Sequence, residues 1–164
     1  MATHLKNLSD FSNLEIPSAE NFHFGIVVSQ WNEEVTHALY RGAYETLQKY
    51  KVPEENIMSL KVPGSYELTS AADILLRFKQ VNAVICLGCV IQGETRHFDF
   101  ICQAVANGIT NVSIKHNKPV VFGVLTTDTL EQALERAGGK HGNKGEEAAV
   151  TAIQMAALQR KLVG

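Results

Sequence analysis

A loop that follows an apolar run carries residues suited to proton transfer and to anion binding. Apolar residues 83–90 lead into Gly93, Glu94 and Thr95, and His97 follows at the start of a stretch with helical periodicity. Histidine titrates near neutrality, so it can move protons. Backbone N–H groups and the positive end of a helix dipole favour an anion such as phosphate. The alternative is a loop that only turns the chain and caps the helix.

Aromatic and carboxylate side chains follow two other apolar runs. Trp31 comes just after residues 24–28, and Tyr66 and Glu67 come after residues 57–62. An aromatic ring at a strand end can stack on a flat heterocycle, and Glu67 can accept hydrogen bonds from ligand hydroxyls. Alternatively, the rings cover the core and Glu67 complements a helix dipole. These residues alone do not decide between the two.

Two basic residues, Arg136 and Lys144, lie in a late segment rich in glycine. They are candidate phosphate ligands. They are equally explained as a favourable cation at a helix C-terminus and a solvated lysine. Because this segment follows the fourth apolar run, the sequence does not decide whether it reaches the His97 loop within one subunit.

Four apolar runs alternate with helical patterns, which predicts an α/β protein. The predicted architecture is a three-layer α/β/α sandwich around a four-stranded parallel sheet of the flavodoxin-like type. Ligands bind at the carboxyl ends of such strands, so the four loops that follow the strands should share one rim. The apolar runs are residues 24–28, 57–62, 83–90 and 120–125.

Two residues are predicted to be helix N-caps. Asn32 is expected to cap the first helix, and Asp128 with Glu131 has the spacing of a capping box at the fourth. The last helix is expected over residues 146–160.

Length, charge and composition exclude several classes of protein. A chain of 164 residues fits one domain, predicted at 22–164 behind a polar N-terminal arm at 1–21. A formal charge of −2 without a basic block argues against nucleic acid, and no apolar run is long enough to span a membrane. An odd, low count of three cysteines indicates the cytoplasm, and no histidine has the spacing of a metal site.

Four motifs together resemble one known family, the 6,7-dimethyl-8-ribityllumazine synthases, transferases of the penultimate step of riboflavin biosynthesis. The resemblance covers nearly the whole chain from about Phe22 onwards. The motifs are Ser29-Gln30-Trp31-Asn32-Glu33, Pro63-Gly64-Ser65-Tyr66-Glu67-Leu68, the stretch 88–99, and residues 122–128 continuing to 135–145.

The resemblance implies condensation of 5-amino-6-ribitylamino-uracil with 3,4-dihydroxy-2-butanone 4-phosphate, with loss of water and phosphate and without a metal or organic cofactor. His97 would donate and accept protons, and Lys144 would orient the substrates. The phosphate would be bound by Gly93, Glu94, Thr95 and Arg136. The organic substrate would be bound by Trp31, Ser65, Tyr66, Glu67, Cys89, Val90, Ile91 and Phe122.

The resemblance also implies an assembly. The family forms homopentamers in which Phe122, Arg136 and Lys144 come from the neighbouring subunit, or icosahedral capsids of sixty subunits that can enclose or work with riboflavin synthase. The short connector at 138–145 favours the capsid, and the arm is expected to add a strand to a neighbour.

Three positions depart from the commonest family pattern. Trp31 replaces a more usual Phe, Cys89 a frequent Thr, and Glu94 a small residue. A carboxylate beside a phosphate is unfavourable, so Glu94 is expected to point outwards.

Two other functions fit the same layers. A flavin- or nucleotide-binding module of the flavodoxin-like type needs no His97 and does not explain Arg136 or Lys144. A capsid-forming scaffold without catalysis would not need to retain Glu67, His97, Arg136 and Lys144.

Overall fold

The sheet holds four parallel strands, as predicted, and their order is β2-β1-β3-β4. The computed structural model describes residues 9–11 and 13–163. Every residue of β1 is buried, as are the first seven of β3, because helices cover both faces of the sheet. The strands are β1 Phe24–Ser29, β2 Ile57–Val62, β3 Ala83–Ile91 and β4 Val120–Thr127.

Five helices complete the predicted three layers. Helices α1 and α5 pack on one face of the sheet, and α2 and α3 pack on the other. The helices are α1 Glu33–Lys49, α2 Leu68–Phe78, α3 His97–His116, α4 Leu130–Glu135 and α5 Lys144–Val163. Single 3₁₀ turns cover Glu54–Asn56 and Ser65–Glu67, and a short hairpin joins β5 Ala137–Gly139 to β6 Gly142–Asn143. Among the described residues, none of the helices is long and apolar enough to cross a membrane.

Alternate residues of β3 divide the core into two clusters. Ile85 and Leu87 pack with α1 and α5, whereas Val84 and Cys86 pack with α2 and α3. All four side chains are fully buried, and each large one contributes about 1.5–3 kcal/mol relative to exposure. This alternation also places Cys86 and Cys89 on opposite faces of the sheet, and both are free thiols.

Two predictions of helix capping are wrong. Asn32 adopts a left-handed backbone conformation with φ 59°, so its side chain makes no cap and instead donates to the Cys89 carbonyl. The fourth helix begins at Leu130, so its N-cap is Thr129, which accepts from the Gln132 N–H at 3.2 Å. The Gln132 side chain accepts from the N–H of Asp128, the residue before the N-cap, so the capping box predicted for Asp128 and Glu131 is not formed.

The described part of the N-terminal arm packs on its own subunit. Ala19 is buried in the α1/α5 cluster, and its N–H donates to the Tyr50 carbonyl at 2.9 Å. Ser9 and Asn143 are joined by two hydrogen bonds. The division of the chain at 21/22 stays a prediction, and the parts of the arm at 1–8 and 12 lie outside the described residues.

An ion cluster joins α2 to α3. The Asp73 carboxylate contacts the Lys115 ammonium and the His116 ring at 2.8 Å each, and the Arg77 guanidinium at 2.7 Å. Hydrogen bonds from Lys115 and His116 hold the pKa of Asp73 well below its usual range.

Candidate active site

The ends of β1 and β3 form the centre of the candidate site. The chain winds from β1 to β2 in one direction and then crosses to β3 on the other side, so the topological switch point lies between β1 and β3. Asn32 donates to the Cys89 carbonyl across this point at 3.0 Å, and the Ser65 hydroxyl donates to the same oxygen at 3.5 Å. The Gln92 N–H donates to the Thr127 carbonyl at 2.8 Å, which adds the end of β4. These contacts confirm that the four strand ends share one rim.

An exposed indole ring and a fixed carboxylate lie side by side on this rim. The backbone N–H of Trp31 donates to the Pro63 carbonyl at 3.1 Å, and the residue is 68% exposed. Glu67 is half-buried, and its carboxylate accepts from the Gly64 N–H at 3.0 Å. Tyr66 is 58% exposed. A flat ligand can therefore stack on the indole while its hydroxyl groups reach the carboxylate.

The residues predicted to bind phosphate form an exposed loop before α3. Gly93, Glu94 and Thr95 are exposed, and so is His97, the first residue of the helix. Within the described part of the chain, no hydrogen bond engages the backbone N–H groups of residues 93–95. The loop thus presents free donors at the positive end of a helix dipole. The outward orientation of Glu94 stays a prediction.

The last residues of β3 lie directly before this loop. Val90 and Ile91 are half-buried, so part of each side chain remains open to a ligand. Cys89 is buried, and burial raises the pKa of its thiol to about 11. The thiol is therefore protonated at neutral pH, and Cys89 contributes its carbonyl oxygen to the rim as the acceptor for Asn32 and Ser65.

The other three predicted residues lie on a separate surface of the same subunit. In the register of β3 and β4, Phe122 pairs with Cys86, whereas Thr126 pairs with Val90 at the rim. Phe122 and Thr126 are four residues apart, which corresponds to about 13 Å along the strand at about 3.3 Å per residue. A cavity of about 340 Å³ beside Phe122 and Lys144 is lined by residues of α3, β4, α5 and the α3–β4 connection. The structure therefore does not bring Phe122 or Lys144 to the rim within one subunit.

A carboxylate that was not predicted as a site residue holds the two basic residues together. Glu147 contacts the Arg136 guanidinium at 2.9 Å and the Lys144 ammonium at 3.1 Å. Arg136 also donates to the His141 carbonyl at 2.7 Å. The Arg136 and Glu147 side chains are only 14% and 13% exposed. Lys144 and Glu147 are three residues apart on a helix, a spacing that could have indicated the pair.

Comparison with known proteins places the chain in a family. The sequence profile of the 6,7-dimethyl-8-ribityllumazine synthases matches residues 21–160. The chain belongs to this family. A synthase of this name from Cytophaga hutchinsonii is 61% identical over 157 residues, which cover 96% of this chain and 98% of the relative. The relative from Porphyromonas gingivalis is 51% identical over 98% of this chain and 99% of its own length. That from Flavobacterium johnsoniae is 49% identical, with coverages of 98% and 85%.

Membership of the lumazine synthase family confirms the predicted family and fold class. It also confirms the predicted enzyme class, a transferase of riboflavin biosynthesis, and favours the lumazine synthase reaction over a flavin-binding module or an inactive scaffold. The roles of individual site residues are not settled by family membership and stay predictions.

Proposed function

We propose that the protein condenses 5-amino-6-ribitylamino-uracil with 3,4-dihydroxy-2-butanone 4-phosphate in a site shared by two subunits. The rim of one subunit supplies the stacking ring, the phosphate loop and His97, and the β4 edge of a neighbour supplies Phe122, Arg136 and Lys144. The observation that carries this proposal is the distance of about 13 Å along β4 between Phe122 and the rim. The outer edge of β4 pairs with no strand among the described residues, so a second copy can approach it.

The pyrimidine substrate is held by the indole and the carboxylate. Its ring stacks on Trp31, where Val90 and Ile91 add apolar contacts, and its ribityl hydroxyls bond to the segment Ser65 to Glu67. The Glu67 carboxylate is already oriented by the Gly64 N–H, so little reorganisation accompanies binding.

The phosphate of the second substrate is held by the loop before α3. The free N–H groups of Gly93, Glu94 and Thr95 bind it together with Arg136 of the neighbour. His97 is next to this loop and moves the protons of imine formation, phosphate elimination and ring closure. Lys144 of the neighbour orients the two reactants. Most of the rate gain comes from alignment, so loss of His97 costs about 10²- to 10⁴-fold.

The assembly that follows from a shared site is a closed ring, and we propose a homopentamer in the cytoplasm. Head-to-tail contacts generate a ring when the rotation closes. The tight β5–β6 hairpin keeps the connector short, which supports the larger icosahedral capsid, and riboflavin synthase is the proposed protein partner. The three free thiols fit a reducing compartment.

Two inactive variants test the shared site. Purified His97→Ala and Arg136→Ala are mixed in equal amounts, unfolded and refolded together. The activity of the refolded mixture is measured by lumazine absorbance and phosphate release. Each variant alone is expected to have little activity. In the mixture, the rim of an Arg136→Ala subunit and the β4 edge of a His97→Ala neighbour form an intact site. Random mixing restores about one quarter of the wild-type activity, because each half is intact in half of the subunits.

Each variant refolded alone is the control for this mixture. No recovery in mixed assemblies would contradict the shared site. No product above the uncatalysed background with wild-type protein would contradict the proposed reaction itself.

A further inference from the structure

Gly64 lies at the point where the stacking ring and the binding carboxylate meet. A Cβ atom added at this residue would lie 2.8 Å from Cε3 and 3.0 Å from Cζ3 of the Trp31 indole. It would also lie 3.2 Å from Oε2 of Glu67. Contacts below 3.0 Å do not occur at real Cβ atoms, so any other residue here moves the indole.

The backbone itself does not require glycine at this position. Gly64 has φ −133° and ψ 178°, an extended conformation that any residue adopts. Glycine is therefore required because the space that a side chain would occupy is already taken. That space is filled from one side by Trp31 and from the other by Glu67.

The same residue also holds the carboxylate directly. Its N–H donates to Glu67 Oε2 at 3.0 Å, and the preceding carbonyl, of Pro63, accepts from the backbone N–H of Trp31 at 3.1 Å. Pro63 and Gly64 thus tie the backbone of Trp31 and the carboxylate of Glu67 to one short stretch of chain. Because the indole ring and the carboxylate also crowd the Cβ position of Gly64, the distance between the two binding groups is set there.

We infer that Gly64 is a positioning residue that sets the separation between the Trp31 ring and the Glu67 carboxylate. The inference rests on the proposed function, in which the ring takes the pyrimidine and the carboxylate takes the ribityl chain. A ligand is selected when its flat heterocycle and its hydroxylated chain span this separation. Gly64 touches neither substrate in this account and acts through the two side chains beside it.

The variant Gly64→Ala tests the inference with two readouts. Trp31 is the only tryptophan of the chain, so its fluorescence in the ligand-free protein reports the position of the ring. We expect the emission maximum or intensity to change. We also expect the KM for the pyrimidine substrate to rise about five- to tenfold, and that for the butanone phosphate to change by less than about twofold.

A double variant separates the steric role from general damage. Phenylalanine lacks the two indole carbons that the new methyl group would meet, so Gly64→Ala made in a Trp31→Phe background should cost less than about twofold in kcat/KM. Gly93→Ala is the matched control for the fluorescence, because a Cβ at Gly93 meets no atom within 4 Å. Its Trp31 emission should equal that of the wild type.

The outcomes distinguish this inference from the proposed function. If wild-type protein makes no product, the proposed function fails, and the Trp31 emission still tests the positioning. Unchanged emission and unchanged KM in Gly64→Ala would overturn the inference, as would an equal loss of activity in both backgrounds. If Gly64→Ala does not fold, folding of the double variant supports the inference, and failure of both overturns it.

Discussion

Glu147 is expected to stabilise the fold strongly because it neutralises two cations at once. Its carboxylate contacts Arg136 at 2.9 Å and Lys144 at 3.1 Å, and the Arg136 side chain is only 14% exposed. Glu147→Gln keeps the shape but leaves these cations without an anion between them. Two hydrogen bonds of ion pairs at about 1.5–3 kcal/mol each are lost, and the amide oxygen restores only one weaker bond to a cation, of about 1 kcal/mol.

The expected net loss is about 2–5 kcal/mol in the free energy of unfolding, which lowers Tm by about 4–20 °C for a domain of this size. Urea unfolding and calorimetry at equal protein concentration measure it, since subunit assembly also affects Tm. Glu146→Gln is the matched control, one residue away. Burial raises the pKa of Glu146, so its charge is unfavourable in the folded state and its neutralisation should stabilise slightly.

The two variants must therefore shift stability in opposite directions. A Glu147→Gln protein within about 0.5 kcal/mol of the wild type would refute the role given to this carboxylate, because surface substitutions commonly fall in that range.

The remaining predictions concern pH and thiol chemistry. Asp73→Asn should lower the free energy of unfolding by about 1–2 kcal/mol at neutral pH. Because the pKa of Asp73 is lowered in the folded state, this difference in unfolding free energy should shrink as the pH falls below about 4. Urea unfolding of both proteins across that pH range measures the difference, and a constant value would contradict the prediction. Burial raises the pKa of Cys86 to about 12 and that of Cys89 to about 11, so iodoacetamide should label either thiol only in the unfolded protein. Mass spectrometry of native and urea-treated samples measures the labelling, and equal rates in both would contradict burial of these thiols.

Much of the fold could be predicted because it depends on local patterns. Buried strands of a parallel sheet are apolar on both faces, so residues 24–28 and 83–90 stand out as continuous runs. The helix opened by His97 follows from side-chain spacing alone. Capping was less predictable, since the backbone of Asn32 is left-handed and its amide bonds to β3 instead of to its own helix.

The sequence by itself determined the layer order, the four strand ends and the chemical types of the residues that follow them, because periodicity and turn composition are encoded by near neighbours. Only the tertiary structure decided which of these residues meet. Phe122 lies about 13 Å along β4 from the rim because its pairing with Cys86 in the parallel register fixes its position along the strand. Arg136 meets Glu147 across 11 residues of chain, and Gly64 touches Trp31 across 33 residues, through close packing that no spacing along the sequence specifies.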